Sequence, residues 1–297
     1  MEKVVIEITK DAEIILKNAI QKNCESIFNF FMEWRTTNDK SSEKDAIAQC
    51  MLQMILTNSK SILSLSEGIQ LVPTKGKKTV DPTSIIPILR SMYERTFIFH
   101  NIFVQPENET ESNILLYLWQ IRGLNNRQNL PFTPEEFEHK KEKEQVQIER
   151  LRSRIRGLLT ELNITDLAKD KIDKIARSNS SNIYGYKHIK DEEGIILGME
   201  RISFSDSPKV LFGTDELYPL YTLLSFHSHP SYLGTLQFGQ MFNNGYDTSM
   251  LIIILTNVII LQNFFIDDFC RVAKGAKEIW IEKGYNLLGA NSNFKNS

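Results

Sequence analysis

Apolar residues recur every three or four positions through most of this chain, and that spacing predicts a protein built almost entirely from helices. Over 11–35, Ile14, Ile15, Ala19, Ile20, Ile27, Phe28, Phe31 and Trp34 mark one broad face, with Asp11 placed to cap its start. The pattern repeats over 43–65 through Ala46, Ile47, Cys50, Met51, Met54, Ile55 and Ile62. A polar connection separates these two helices and predicts an antiparallel pair. A third helix, over 84–104, tolerates Pro87 near its first turn and is apolar around most of its circumference.

A fourth helix is predicted over 110–128. The fifth opens on Thr133, Pro134, Glu135 and Glu136, a capping residue followed by Pro at N1 and Glu at N3, and runs to about 162. Ile148, Leu151, Ile155, Leu158 and Leu162 make a narrow, heptad-like seam along it. After a short helix over 165–177, the stretch 183–213 alternates and contains glycines, which fits both a small hairpin and an irregular loop. Helical periodicity returns over 218–228 and over 247–274, the latter ending at Gly275. The expected fold is all-α: a multi-helix bundle forming one helical domain over 1–297, with 130–213 an inserted region made of a long charged helix or helical arm and a small hairpin or loop.

Composition adds little to that picture: 41% hydrophobic and 24% charged residues are ordinary for a globular chain. Lys plus Arg total 35 against 37 Asp plus Glu, so a net charge of -2 offers no global attraction to nucleic acid or acidic lipid, and a polyanion needs a local patch. Within 134–162 the charge is segregated, acidic at Glu135, Glu136 and Glu138 and basic at Arg150, Arg152, Arg154 and Arg156. That order complements the helix dipole, and the same helix is a candidate surface for a phosphate group or a protein partner. Cys24, Cys50 and Cys270 are far apart inside apolar patterns and read as buried, reduced thiols, which suits the cytoplasm. The apolar run 250–266 is interrupted by Thr256, Asn257, Gln262 and Asn263 and followed by Asp267 and Asp268, so a buried core helix is expected there rather than a membrane span.

Chemistry enters at two places. Arg90 and Glu94 lie four residues apart and share a helix face, with Asn101 falling between them in angle. Inside a central apolar helix such a pair must be neutralised and hydrogen-bonded. Tyr221, Ser225 and His229 form a second polar stripe at four-residue spacing, stopped by Pro230. A carboxylate beside an imidazole prepares it for acid or base work, and a satisfied network between packed helices needs the same contacts without a substrate. Ser225, His229 and Glu94 also hold the residue types of a hydrolase triad, but no Gly-x-Ser-x-Gly elbow presents the serine. No phosphate-cradling loop or dinucleotide fingerprint occurs, and neither cysteines nor carboxylates stand at metal-ligating spacing from His227 and His229. Neither a metal nor a cofactor is therefore expected.

The Arg90, Ser91, Glu94 run together with Tyr221, Ser225, His229 and Pro230 resembles a widespread family of helical bacterial proteins of unassigned function, over roughly 43–270. Arg95 followed after four residues by His100 is similar to the Arg-x4–6-His motif of HEPN-type ribonucleases, which implies metal-independent RNA cleavage at a site assembled by a homodimer. On a regular helix those two side chains would point about 140° apart. The resemblances together imply a bacterial defence or stress-response protein that cleaves or binds RNA, with Arg90, Glu94, Arg95, His100, Ser225 and His229 as candidate site residues. A noncatalytic interaction or sensor module with a structural polar network is the competing expectation.

Overall fold

The structure, a computed structural model, describes residues 2–37, 42–70, 78–131, 137–180, 185–213, 218–228, 231–244 and 248–289. Among these residues it is an all-α protein of eleven helices with one small antiparallel hairpin. The chain packs as two compact units, one made from 1–99 with 214–297 and the other from 100–213.

In the first unit, α1 (Glu2–Thr37) packs against α2 (Glu43–Ser66). The pair is antiparallel: Lys60 Nζ reaches Gln21 Oε1 at 2.6 Å, while Lys17 Nζ reaches the Ser66 carbonyl at 2.9 Å. That lysine satisfies an orphan carbonyl where α2 ends. Asp11 lies inside α1 rather than capping it, because helical backbone continues back to Glu2. α2 begins with a reciprocal cap between Ser42 and Asp45. The third helix, α3 (Pro82–Phe99), packs against α2 and buries Leu89, Met92, Tyr93, Phe97 and Phe99.

The end of the chain completes this core. Later in sequence come α8 (Tyr218–Ser228), α9 (Tyr232–Asn244), α10 (Thr248–Val272) and α11 (Ala276–Glu282). The short α9 and α11 escape the periodicity of the sequence: α9 leaves Tyr232, Leu233 and Leu236 exposed, and α11 is only seven residues long. α10 packs against α1, α2 and α3, with Phe99 on Phe265 at 4.5 Å and Trp34 edge-on to Phe269 at 5.1 Å. Ser249–Val272 is long and apolar enough to cross a membrane, and half of its most apolar window is buried within the protein.

Its polar interruptions have partners. Gln262, fully buried, accepts from Asn23 Nδ2 at 3.1 Å and donates to Cys24 Sγ at 3.3 Å. The Asn23 amide also pairs with the backbone of Leu288, accepting its N–H at 2.7 Å and donating to its carbonyl at 3.3 Å. Cys24 and Cys270 are buried free thiols, whereas Cys50 is exposed because it falls on the solvent edge of the α2 stripe.

The second unit starts with a π-helical turn at His100–Val104, so regular α-helix ends at Phe99 and not at 104. The wider turn is held by Gln105 N–H on the His100 carbonyl at 3.0 Å and by Ser112 Oγ on the Ile102 carbonyl at 2.8 Å. α4 (Glu109–Gln128) then runs antiparallel to α5 (Glu138–Leu158), with Gln128 Nε2 on the Lys141 carbonyl at one end and Arg154 over Tyr117 at the other. The expected start of this helix at Thr133 to Glu136 lies outside the described residues. α5 does not project as an arm: Ile148, Leu151 and Ile155 are buried, and it packs on α4 and α6 (Asp166–Arg177).

The stretch that left hairpin and loop open contains both a hairpin and a short helix. β1 (Gly185–Lys190) pairs antiparallel with β2 (Ile196–Ile202), from Gly185 opposite Ile202 to Lys190 opposite Ile196, with a bulge at Ile189 and Lys190. α7 (Ser207–Phe212) follows and stops at Gly213, whose φ of 66° suits a residue without Cβ.

Two buried arginines close the α6 terminus. Arg122 donates to the carbonyls of Ile175 at 2.9 Å and Ser180 at 3.0 Å, and Arg152 to that of Ala176 at 3.0 Å. Helix ends leave carbonyls unpaired, and a guanidinium supplies several donors in one plane. Arg152 is thereby withdrawn from the basic row read in the sequence.

We expect Asn23→Ala to destabilise the protein by about 2 kcal/mol, since it orphans the Leu288 N–H and part of Gln262 in the core. Urea unfolding checks this: the midpoint should fall with an unchanged slope, and a loss below about 0.5 kcal/mol would show that the amide holds nothing.

Candidate functional site

Arg90 and Glu94 project from α3 toward α8, where the apolar side of the helix gives way to a half-buried edge. Arg90 Nε donates to Glu94 Oε1 at 2.8 Å and Arg90 Nη2 to Tyr221 Oη at 3.1 Å, while Tyr221 Oη donates to the same Glu94 oxygen at 3.4 Å. The Arg90 guanidinium carbon also lies 5.4 Å from the Tyr221 ring centroid. Burial opposes the Arg90 charge, but Glu94 and Tyr221 outweigh it and raise its pKa. Burial and the Glu94 charge raise that of the Tyr221 phenol, so the phenol keeps its proton and remains a donor. The three side chains bind one another as a triad. Two helices meet through it, and its carboxylate already accepts from both partners.

One turn further, Arg95 differs from Arg90. Its Nη2 donates to Ser91 Oγ at 3.2 Å, and its Nη1 is buried without an acceptor. Burial lowers its pKa, and Glu94 only partly opposes that effect. A charged donor withheld from water and from every acceptor among the described residues is costly, and in folded proteins such a group calls for a specific cause, such as strain, an ordered water or ion, or a functional role.

The other expected residues separate. Asn101 belongs to the second unit, where its amide pairs with the Tyr186 backbone at 2.9 Å and 3.1 Å. His100 begins that unit, half-buried in the same turn, so the angle calculated for a regular helix does not apply to it. Ser225 follows Tyr221 by four residues on α8 and is half-buried. His229, the last position of the expected stripe, and Pro230 lie outside the described residues. His227 is buried, and its Nδ1 has no partner; burial lowers its pKa. Among the described residues no three His, Cys, Asp or Glu side chains converge in a way that could hold a metal ion.

Sequence reasoning missed a cluster in the second unit. Glu111, in the first turn of α4, is 5% exposed and accepts from Lys190 Nζ at 2.8 Å and from Asn108 Nδ2 at 2.7 Å. Glu107 also pairs with Lys190, at 2.6 Å. His188 Nδ1 stands 3.6 Å from Glu111 Oε2, and its Nε2 is buried without a partner. The signal for this cluster was weak, because 77 residues separate Glu111 from His188 and only the fold of the hairpin unites them.

Fold and site together define a helical protein with arginine-centred polar networks in each of two units. The chain belongs to the DUF5677 family, a family of unknown function whose model matches residues 45–246. Neither the curated proteins nor the solved structures contain a match.

The His188 cluster makes stability depend on pH. Burial pushes the imidazole pKa below its ordinary 6.5, outweighing the pull of Glu111. The unfolded chain therefore takes up a proton that the folded unit resists, so the stability present above about pH 6.5 is lost as pH falls. Amide exchange of the β1–β2 hairpin should accelerate between pH 7.5 and 5.5 beyond the intrinsic pH effect, and His188→Gln should remove most of the excess. No difference between wild type and variant would assign the acid response to other groups, such as His227.

Proposed function

We propose that this protein is a cytoplasmic, bacterial RNA-binding and RNA-cleaving factor of defence or stress response that works without a metal. The observation that carries the reading is the buried Arg95 donor left without an acceptor. A phosphate oxygen satisfies such a donor, and a guanidinium binds phosphate in a fixed geometry. In this reading the Arg90, Glu94 and Tyr221 triad is a positioning device that holds α3 against α8, while Arg95 meets the scissile phosphate. His100, from the motif similar to that of HEPN-type ribonucleases, supplies proton transfer, with His229 as the further imidazole and Ser225 as a polar neighbour on α8. The same resemblance supports a homodimer as the working form.

A specific observation also favours a noncatalytic interaction or sensor module: Arg90, Glu94 and Tyr221 bind one another across α3 and α8, as the members of a structural network do. Purified full-length protein incubated with total RNA in EDTA separates the two. We expect cleavage, reduced by at least about tenfold in Arg95→Lys and His100→Ala at unchanged circular dichroism, a loss of the size general acid–base groups contribute. Intact RNA at high protein concentration, or cleavage indifferent to both substitutions, would favour the noncatalytic module.

A further inference from the structure

α9 presents its apolar side outward. At about 100° per residue Tyr232, Leu236 and Leu233 share an arc of about 100°, and Gly234 lies about 100° beyond the edge of that arc. Gly234 is the buried residue that faces α8. A Cβ at that position would stand 3.6 Å from the Phe226 carbonyl oxygen and 3.8 Å from His227 Nδ1, so the glycine lets the two helices meet closely. Ser231 holds the corner between them, since its Oγ accepts from the Gly234 N–H at 3.0 Å and donates to the Phe226 carbonyl at 3.0 Å.

A surface helix ordinarily turns its apolar stripe to the core. Here Tyr232 is 79% exposed, Leu233 52% and Leu236 43%, on the side away from the element that α9 packs against. α8 adds a fourth group to the corner. It docks on α3 through Tyr221 and buries Leu224, while Phe226, about 140° and 160° around the helix from those two, is exposed. Together the four side chains present roughly 400 Å² of apolar surface, large for one patch on a monomer and about half of what one partner contributes to a stable complex.

We infer that the α8–α9 corner is the face through which two copies of this chain associate, with Tyr232, Leu233, Leu236 and Phe226 at the apolar centre of a two-fold interface. The inference rests on the homodimer of the reading above and supplies the surface which that reading leaves open. Charge selects the occupant. Across 218–266 Asp247 is the only Asp, Glu, Lys or Arg. In a two-fold interface a residue near the axis meets its own copy, so any charge there meets its like, and a face without charge avoids that repulsion. A different protein partner is ordinarily selected by complementary charge, which this face does not offer. A membrane surface draws on Lys and Arg beside the apolar residues, and α9 has neither.

Sedimentation velocity of the purified full-length chain over about 1 to 100 μM tests the interface. We expect a dimer in the wild type. Leu233→Lys with Leu236→Lys should raise its dissociation constant at least about 100-fold, because each protomer loses two leucines from the contact and brings charge into it. Leu233→Glu with Leu236→Glu should do the same, and an equal mixture of the two variants should restore a dimer, since unlike charges then face each other. Leu167→Lys, on α6 in the second unit, should leave the dimer intact. Circular dichroism checks each fold. Amide exchange of the unsubstituted chain reads the same face directly: exchange over α9 should slow as the protein is concentrated, and exchange over α6 should not.

A wild type that stays monomeric over the whole range overturns the interface and the homodimer together. A dimer as tight in both charged variants as in the wild type overturns this face and leaves the homodimer to another surface. Monomeric variants beside a dimeric wild type that leaves total RNA uncleaved support the face and remove the cleavage reading. A monomeric wild type that sediments with neutral phosphatidylcholine vesicles would overturn the dimer and reassign the face to a membrane.

Discussion

A buried guanidinium must find acceptors, and this constraint organises both units of the protein. Arg152 and the two terminal nitrogens of Arg122 meet it with the carbonyls at the end of α6, which turns an otherwise unsatisfied helix terminus into the anchor for α4 and α5. Arg90 meets it with Glu94 and Tyr221, which turns one ionic pair into a link between α3 and α8. Removing either kind of partner strands a charge away from water, and that costs several times what an exposed ion pair contributes. The arginines therefore fix which helices lie together as firmly as the apolar stripes do. Two guanidinium nitrogens escape it, Arg122 Nε and Arg95 Nη1, and the functional reading grows from the second, because the other nitrogens of Arg122 bind helix carbonyls.

The polar side chains that span long distances in sequence serve a similar end. Asn23 binds the backbone of Leu288 as a neighbouring strand would, and Asn101 does the same for Tyr186. Each lets an irregular segment dock on a helix without leaving buried amides unpaired. The π-turn at His100–Val104 belongs to the same economy of donors, since its wider ring turns Asn101 toward the hairpin while Ser112 takes up the freed carbonyl.

Much of the helical architecture was legible in the sequence because eight of its helices, α1–α6, α8 and α10, carry apolar residues at a regular period. α2, α4 and α6 begin or end within two residues of the predicted positions. α9 and α11 were not legible: one exposes its apolar residues, and the other is too short for a period to register. The Arg90–Glu94 pair could be read from four-residue spacing, and Tyr221 from its place on the second stripe. Nothing in residue type separates Arg152 from Arg150, Arg154 and Arg156, because burial there depends on a neighbouring helix end. Likewise, Glu111 and His188 become neighbours only once the hairpin lies against α4.

Arg95 and Arg152 differ in whether their terminal nitrogens have acceptors, and that difference is open to direct measurement. Guanidinium-resolved nitrogen NMR of the labelled full chain, titrated with a short oligoribonucleotide, measures it side chain by side chain. The Arg95 resonances should shift and sharpen as RNA is added, while those of Arg152, whose guanidinium is already bound to backbone carbonyls, stay in place. Arg95 signals that remain unmoved at saturating RNA would contradict the account and leave that arginine a purely structural group.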